Sequence, residues 1–220
     1  MRSYIMIVKL VFIMALLFSM NSCLKDSPVS EEVSDAQKVT ALKKVTLSFD
    51  SLGFEIGMPA GALSGKSFSE LRTADSALYS DKSNYTITFT LNMTADNSDK
   101  DARDAKFDGI LVEMVLDTIS LSPVDMEATE FEVARGESQP VAVVGDINGE
   151  THGPSMKYIF RRTVDGKDLA TTLSLFLKYQ VGVLAGDVAL PDIKKDIPTR
   201  ATPEMKSFLS GLLDSGVLDG

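Results

Sequence analysis

The sequence predicts a mainly β fold, an antiparallel sandwich of about seven to eight strands followed by a short C-terminal α-helix. Three features of the sequence point to it. One ten-residue stretch alternates apolar and polar residues without a fault, further short stretches repeat that pattern between turn residues, and the last segment changes to helical spacing. Strict alternation is typical of strands with one buried face, and helical spacing is typical of an amphipathic helix.

The clearest strand signal lies in residues 85–94, YTITFTLNMT. Its apolar positions are Tyr85, Ile87, Phe89, Leu91 and Met93, and its polar positions are Thr86, Thr88, Thr90, Asn92 and Thr94. A period of two is typical of an antiparallel strand that buries one face. We therefore expect Phe89 to be buried and Thr88 to face the other way.

The segment before this strand alternates as well, but with an interruption at Asp50-Ser51. The apolar positions are Val45, Leu47 and Phe49 before the interruption, and Leu52, Phe54, Ile56 and Met58 after it. This pattern predicts either a hairpin or one bulged strand. Between it and the strand at 85–94, residues 67–79 space their apolar residues as a helix does, which predicts a short helix.

The remaining strand signals follow residue 105. They lie at 110–116 with an extension to Pro123, at 131–133, at 141–144, at 158–164 and at 169–183. The turn ARGESQP separates the second from the third of these strands. Asp165-Gly166 separates the last two and predicts a tight hairpin turn, because this pair accepts the positive φ angles that such turns need.

The chain ends in a helix signal. Thr202 can cap the helix, Pro203 suits its first position and Glu204 favours its positive end. The stripe that would pack on the domain is Met205, Phe208, Leu209, Leu212 and Leu213. Gly216 is expected to end the helix, and residues 191–202 to connect it to the strands.

The first residues have the pattern of a secretory signal peptide. Arg2 and Lys9 supply positive charge, residues 10–18 (LVFIMALLF) are apolar, and small or polar residues follow up to Cys23. The apolar run is too short for a membrane-spanning helix, which needs roughly 20 apolar residues. The segment therefore predicts export across the membrane.

The end of this segment resembles a bacterial lipobox, in which a small residue precedes an obligatory cysteine. Ser22-Cys23 matches the end of that motif, while Met20 and Asn21 differ from its commonest form. The resemblance implies that the Cys23 thiol receives a diacylglycerol, that cleavage follows residue 22, and that the new amino group is acylated. Acyl chains contribute roughly 0.8 kcal/mol per buried methylene, so they would hold the protein at the outer membrane, on its periplasmic or cell-surface side.

These signals predict four regions. They are a lipoprotein signal peptide at 1–22, a lipidated cysteine with a flexible acidic tether at 23–40, a β-sandwich domain at 41–190, and a connector with an amphipathic helix at 191–220. Loss of residues 1–22 would remove two basic residues, which leaves 20 basic and 31 acidic residues and a net charge of −11. Such acidity disfavours nucleic acid as a partner.

A second resemblance concerns residues 86–147. Asn92 ends an alternating stretch, a polar loop and a second strand follow, and Ala134-Arg135-Gly136-Glu137-Ser138 leads into a further alternating strand. This order is similar to that of LEA-2/WHy domains, although Met93 stands where that family has proline. The resemblance implies an immunoglobulin-like sandwich that serves as a binding or protective module.

The sequence offers little catalytic chemistry. The single histidine, His152, lies near Ser155 in NGETHGPS, which we interpret as an exposed loop. Carboxylates gather in DNSDKDARD at Asp96, Asp99, Asp101 and Asp104, but this stretch lacks EF-hand spacing and includes Lys100 and Arg103. A solvated loop is the preferred interpretation and calcium binding the alternative, and no cofactor or metal is indicated.

The sequence therefore predicts a non-enzymatic, membrane-anchored envelope lipoprotein that acts as a binding or structural module. Its expected partners are the membrane, through the lipid on Cys23, and an envelope protein or glycan. The absence of tryptophan gives no support to a glycan platform. The alternative function is that of a surface adhesin or fimbrial-type assembly subunit, in which edge strands of the sandwich accept a strand from a partner.

Overall fold

The fold is described from a computed structural model. It covers residues 40, 42–98, 104–116, 119–124, 130–181 and 184–219. Cys23, the predicted signal peptide and nearly all of the predicted tether lie outside the described residues.

Within these ranges the chain forms ten strands, four α-helices and one 3₁₀ turn at Lys82–Asn84. The strands are β1 (Thr46–Gly57), β2 (Thr86–Asp96), β3 (Ala105–Phe107), β4 (Gly109–Leu116), β5 (Ile119–Val124), β6 (Phe131–Val133), β7 (Ser138–Asn148), β8 (Leu169–Val181), β9 (Leu184–Ala189) and β10 (Ile193–Ile197). The helices are α1 (Phe68–Ala74), α2 (Ser76–Ser80), α3 (Gly149–Asp165) and α4 (Pro203–Asp214).

The strands form two larger sheets and one small one, and all the recorded pairings are antiparallel. The first sheet has the order β1-β2-β7. The second has the order β10-β8-β4-β5, with β9 also paired to β8, and β3 pairs with β6. The prediction of a mainly β protein with antiparallel sheets and a C-terminal helix is therefore confirmed.

Both larger sheets contribute side chains to one hydrophobic core. On β2, the predicted alternation is confirmed, because every second residue from Ile87 to Ala95 is buried and those between are half-buried. Strands β4 and β8 alternate in the same way, with Val112, Met114, Leu173 and Leu175 fully buried. These strands pack because each has one apolar face to remove from water.

The segment around Asp50-Ser51 forms one bulged strand, β1, and not a hairpin. It runs without a turn from Thr46 to Gly57 along β2, and its register shifts between Phe49 and Ser51. Asp50 is the extra residue, and its carboxylate accepts a hydrogen bond from Thr94 Oγ1 at 2.8 Å. A bulge keeps the same apolar face directed at the core on both sides of the interruption.

The predicted strand at 158–164 is wrong, since these residues belong to helix α3. Asn148 caps this helix by accepting hydrogen bonds from the N–H groups of Glu150 and Thr151. Gly166 ends it with a φ of 66°, so Asp165-Gly166 is a helix terminus and not the predicted hairpin turn. The buried positions Met156, Ile159, Phe160 and Thr163 follow helical spacing. The adjacent apolar residues Ile159 and Phe160 and the β-branched Thr163 also suit a strand, so the helical period is not evident from the sequence.

Two other boundaries differ from the prediction. Residues 119–124 do not extend the preceding strand but form β5, which turns back and pairs with β4. The predicted connector at 191–202 contains strand β10, which pairs with β8 from Ile193↔Leu173 to Ile197↔Leu169. Strand pairing supplies hydrogen-bond partners for the backbone groups of both segments.

The C-terminal helix α4 follows the predicted signals closely. Thr202 Oγ1 accepts a hydrogen bond from the N–H of Met205 at 3.2 Å, and Pro203 occupies the first turn. Phe208, Leu209 and Leu212 are buried, while Met205 and Leu213 are half-buried. The ring of Phe208 lies 5.5 Å from that of Phe68, 6.3 Å from Tyr79 and 6.5 Å from Tyr85.

Among the helices of the described ranges, none has both the length and the apolar content needed to cross a bilayer.

Candidate functional site

The most distinctive surface feature is the outer edge of β1. This strand of 12 residues pairs with β2 on one side. In the described part of the chain no strand pairs with its other side, and no backbone hydrogen bond reaches it from a loop. An edge strand presents a row of unpaired N–H and C=O groups that can bind another extended chain.

An open groove runs along this edge, which we call the β1 groove. It has a volume of about 470 Å³ and is lined by Leu52, Gly53, Phe54, Glu55 and Ile56 on one side and by Ile197, Pro198, Arg200 and Met205 on the other. Neighbouring residues of a strand point to opposite faces of the sheet. Five consecutive lining residues therefore mean that the strand's edge borders the groove.

The inner side of the groove is apolar and continuous with the core. Phe54 and Ile56 lie opposite Phe89 and Ile87 in the β1–β2 register, so they belong to the buried face of the sheet. The rings of Phe54 and Phe89 are 6.0 Å apart. Nevertheless Phe54, Ile56 and Met205 are only half-buried, since no element of the described chain covers them completely.

The rim of the groove carries one charge of each sign. Glu55 lies on β1 and Arg200 lies in the opposite wall, and both are exposed. Within the described residues neither takes part in an ion pair or a side-chain hydrogen bond. Two free charges at the margin of an apolar groove are positioned to orient a polar ligand.

The wall opposite β1 is held at both of its ends. Ile197 is buried and pairs with Leu169 in the second sheet, and Thr202 caps α4 three residues before Met205. Pro198 restricts the backbone that joins these two points. At the other end of β1, Lys195 Nζ lies 5.3 Å from the centre of the Phe49 ring. The groove is therefore bounded by elements that belong to both larger sheets.

The structure places His152 in helix α3 and not in the predicted loop. It lies at a kink, with φ −126° and ψ 27°, directly before Gly153-Pro154. Its Nδ1 is 2.7 Å from Thr151 Oγ1, which donates a hydrogen bond to Asn148 Oδ1 at 3.0 Å. No hydrogen bond joins His152 to Ser155 among the described residues, so this pair does not form a nucleophile and base.

The glycines of NGETHGPS serve close packing. A Cβ atom on Gly149 would lie 2.6 Å from the carbonyl oxygen of Lys82, and one on Gly153 would lie 2.8 Å from that of Leu218. Both distances are shorter than atoms tolerate, so only glycine lets the kinked start of α3 approach these segments. Lys157 and Lys82 both contact Asp219 at the same place. Gly149 and Gly153 therefore allow the C-terminal turn to pack closely against the start of α3.

The acidic stretch after β2 is only partly described. Asp96 accepts hydrogen bonds from Ser98 and Ser138, and Asp104 accepts one from the N–H of Arg135 at 2.9 Å. Asp99, Lys100, Asp101 and Arg103 lie outside the described residues. In the ranges that are described, no three His, Cys, Asp or Glu side chains gather closely enough to hold a metal ion.

None of the described residues that suggested a LEA-2/WHy resemblance is part of the β1 groove lining. Asn92 is on the outer face of β2 and donates a hydrogen bond to Ser51 Oγ at 3.0 Å. Residues 134–137 form a turn whose Gly136 has a φ of 79°. That turn joins the end of β2 through hydrogen bonds of Gly136 and Glu137 with the backbone of Asn97.

No pattern in the sequence predicts the β1 groove. Its two walls are far apart in the chain, and each wall reads as an ordinary strand or connector. The only local signal is that Phe54 and Ile56 continue the apolar alternation after Asp50-Ser51, which indicates a buried face but not an uncovered one.

Comparisons with known proteins add no family. Neither a protein-family model nor a curated protein matches the chain. One solved structure is similar, described as "Crystal structure of protein from Archaeoglobus fulgidus", with a TM-score of 0.40 and 8% sequence identity over 70% of this chain and 100% of that one. At that TM-score the similarity carries no argument about fold or function.

Proposed function

We propose that this protein is an envelope lipoprotein, anchored to the outer membrane through Cys23, whose folded part is a non-enzymatic binding module. The observation that carries the anchor is Ser22-Cys23 directly after a positively charged start and an apolar run. The β1 groove supports the binding role, because it combines a free strand edge, an apolar inner side and two unpaired charges.

We propose an immunoglobulin-like sandwich as the architecture of that module. Support comes from the two larger antiparallel sheets, whose alternating buried faces belong to one core. The acidic composition supports a protein or glycan partner in the envelope over nucleic acid, since phosphates would be repelled by the net charge of −11 that remains without residues 1–22.

The anchor is tested by the variant Cys23→Ala. Without the thiol no diacylglycerol can be attached, so we expect loss of labelling by a radioactive or clickable fatty acid. The variant should persist as a precursor with its signal attached, or as a soluble secreted form. Labelling is read on gels after metabolic feeding, and location by membrane fractionation.

The matched control is Ser22→Ala, which keeps a small residue before the cysteine and should still be labelled and membrane-bound. Persistent labelling of Cys23→Ala at the membrane would show that another residue carries the anchor. The lipoprotein proposal would then fail.

A second candidate function is that of a surface adhesin or fimbrial-type assembly subunit. The free edge of β1 favours it, since such assemblies join subunits by adding a strand of one protein to a sheet of the next. Sedimentation of the purified full chain discriminates between the two functions. Concentration-dependent polymers indicate an assembly subunit, and a stable monomer indicates a binding module.

A further inference from the structure

We infer that the β1 groove binds an extended peptide segment of a partner protein, which adds as a strand to the free edge of β1 and directs an acidic side chain to Arg200. This inference rests on the proposed binding function and names its class of partner. It follows from three properties of the groove, namely its edge, its apolar inner side and its charges.

The edge provides the backbone partners. The stretch Leu52–Ile56 lies after the bulge and is in regular register with β2, from Leu52↔Leu91 to Ile56↔Ile87. Five residues of regular strand extend over roughly 15 Å, enough to pair with a peptide of similar length. Hydrogen bonds between main chains supply affinity in this mode of binding, while side-chain contacts supply specificity.

The apolar inner side selects alternating peptides. In an added strand, every second side chain would point to the same side as Phe54 and Ile56 and would contact Met205 across the groove. Covering these half-buried side chains removes apolar surface from water. The preferred segment therefore carries valine, isoleucine or leucine at alternate positions.

The charges select the residues on the solvent side. Arg200 is exposed and has no partner in the described chain, and its guanidinium offers several N–H donors in a fork that fits a carboxylate. Glu55, on the other wall, would repel a carboxylate placed near it. An acidic residue held near Arg200 would pair with its guanidinium and stay away from the Glu55 carboxylate. A bidentate pair between a carboxylate and Arg200 is stronger than the single ion pair that a lysine would form with Glu55.

A second copy of this chain is a poorer occupant. Each processed copy would carry a net charge of −11, so two copies repel each other when no complementary patch is present. A short peptide brings one carboxylate to one arginine and avoids that repulsion. Peptide binding and the oligomeric state of Arg200→Glu distinguish a peptide from a second copy as the occupant.

The test uses the full-length protein in detergent and fluorescent, blocked heptapeptides. The probe is Thr-Val-Glu-Val-Thr-Val-Thr. Two matched peptides replace its glutamate with lysine or its central valine with proline, which removes a backbone donor and disrupts the strand. By fluorescence anisotropy, we expect the glutamate peptide to bind about tenfold more tightly than the lysine peptide, and the proline peptide to lose most of its binding.

Charge reversal on the protein makes the test specific to the groove. Because Arg200 is exposed, the variant Arg200→Glu is expected to fold normally. It should weaken binding of the glutamate peptide and strengthen binding of the lysine peptide. The matched control is Arg161→Glu, which changes the net charge equally on an exposed position of α3. It should leave the order of the three peptides unchanged.

Hydrogen exchange identifies the edge. Bound peptide should slow the exchange of amides within Leu52–Ile56 and leave those of the other edge strand of this sheet, β7, unchanged. The inference is overturned if no probe binds, if the lysine and glutamate peptides bind equally, or if protection appears elsewhere. It is also overturned if Arg200→Glu dissociates a dimer in place of changing peptide preference. None of these measurements depends on acylation, so failure here and failure of the Cys23→Ala test are distinguishable.

Discussion

Single side chains fix the ends of helices in this protein, and Ser67 with Glu70 is the most complete case. Ser67 Oγ accepts a hydrogen bond from the N–H of Glu70 at 3.3 Å, and the Glu70 carboxylate accepts bonds from Ser67 Oγ at 2.7 Å and Ser67 N–H at 2.8 Å. Such a capping box satisfies donors that the first turn of α1 leaves free. The hydrogen bond from the Ser67 side chain, followed by that from its backbone, lowers the pKa of Glu70 below its ordinary value of 4.5.

A lowered pKa predicts a definite pH dependence for Glu70→Gln. The extra stability of the ionised carboxylate is present above pH 4.5 and is lost as the pH falls through the lower folded pKa. Glutamine keeps the shape but has no charge. We therefore expect wild type to exceed Glu70→Gln in urea midpoint near neutral pH, and the difference to disappear in strong acid. Glu113→Gln, an exposed strand position, is the control, and a Glu70→Gln difference independent of pH would contradict the role of the charge.

At the scale of elements, β2 shows how a pattern of period two becomes a core. It lies between β1 and β7, and its inner residues are covered while its outer residues are threonines, Asn92 and Asp96. Phe89 has no exposed surface, and Thr88 is half-buried on the other face. The two faces should therefore respond differently to truncation.

Phe89→Ala should cost about 3–5 kcal/mol in free energy of unfolding, because it removes transfer energy and leaves a cavity. Thr88→Ala should cost less than about 1 kcal/mol. Since a domain has a total stability of about 5–15 kcal/mol, the first variant should show a large fall in urea midpoint and the second a small one. Equal effects would indicate two buried faces, and the reverse order would show that the register is wrong.

At the scale of the whole molecule, the C-terminal helix and the sheets share one core. Phe208 of α4 is buried against Phe68 of α1, Tyr79 of α2 and Tyr85, which directly precedes β2. The Tyr85 hydroxyl donates a hydrogen bond to the carbonyl of Tyr79 at 2.8 Å, and burial raises its pKa above the ordinary value. These contacts connect the last element of the chain to the first sheet.

Phe208→Ala should therefore destabilise the sheets together with the helix. We expect a loss of about 3–5 kcal/mol in unfolding free energy. The circular dichroism signals of strand and helix should still disappear in a single urea transition. Leu213→Ala, at a half-buried position of the same helix, should cost less. Loss of part of the helix signal at lower urea than the strand signal would contradict a core shared by the helices and the sheets.

The sequence by itself determined the features that depend on neighbours along the chain. The period of β2 and β8, the cap at Thr202 and the apolar stripe of α4 are all local, so each could be read from spacing and side-chain chemistry. Ser22-Cys23 is local in the same sense, and the anchor it predicts stays a prediction.

Only the tertiary structure decided what depends on distant residues. Residues 158–164 contain aromatic and β-branched side chains that suit a strand, yet they form a helix because Ile159, Phe160 and Thr163 are buried together in the folded core. The β1 groove arises because Leu52–Ile56 and Ile197–Met205, far apart in sequence, form opposite walls. Local patterns encode period and caps, but which surfaces meet and which stay uncovered is decided by packing between elements.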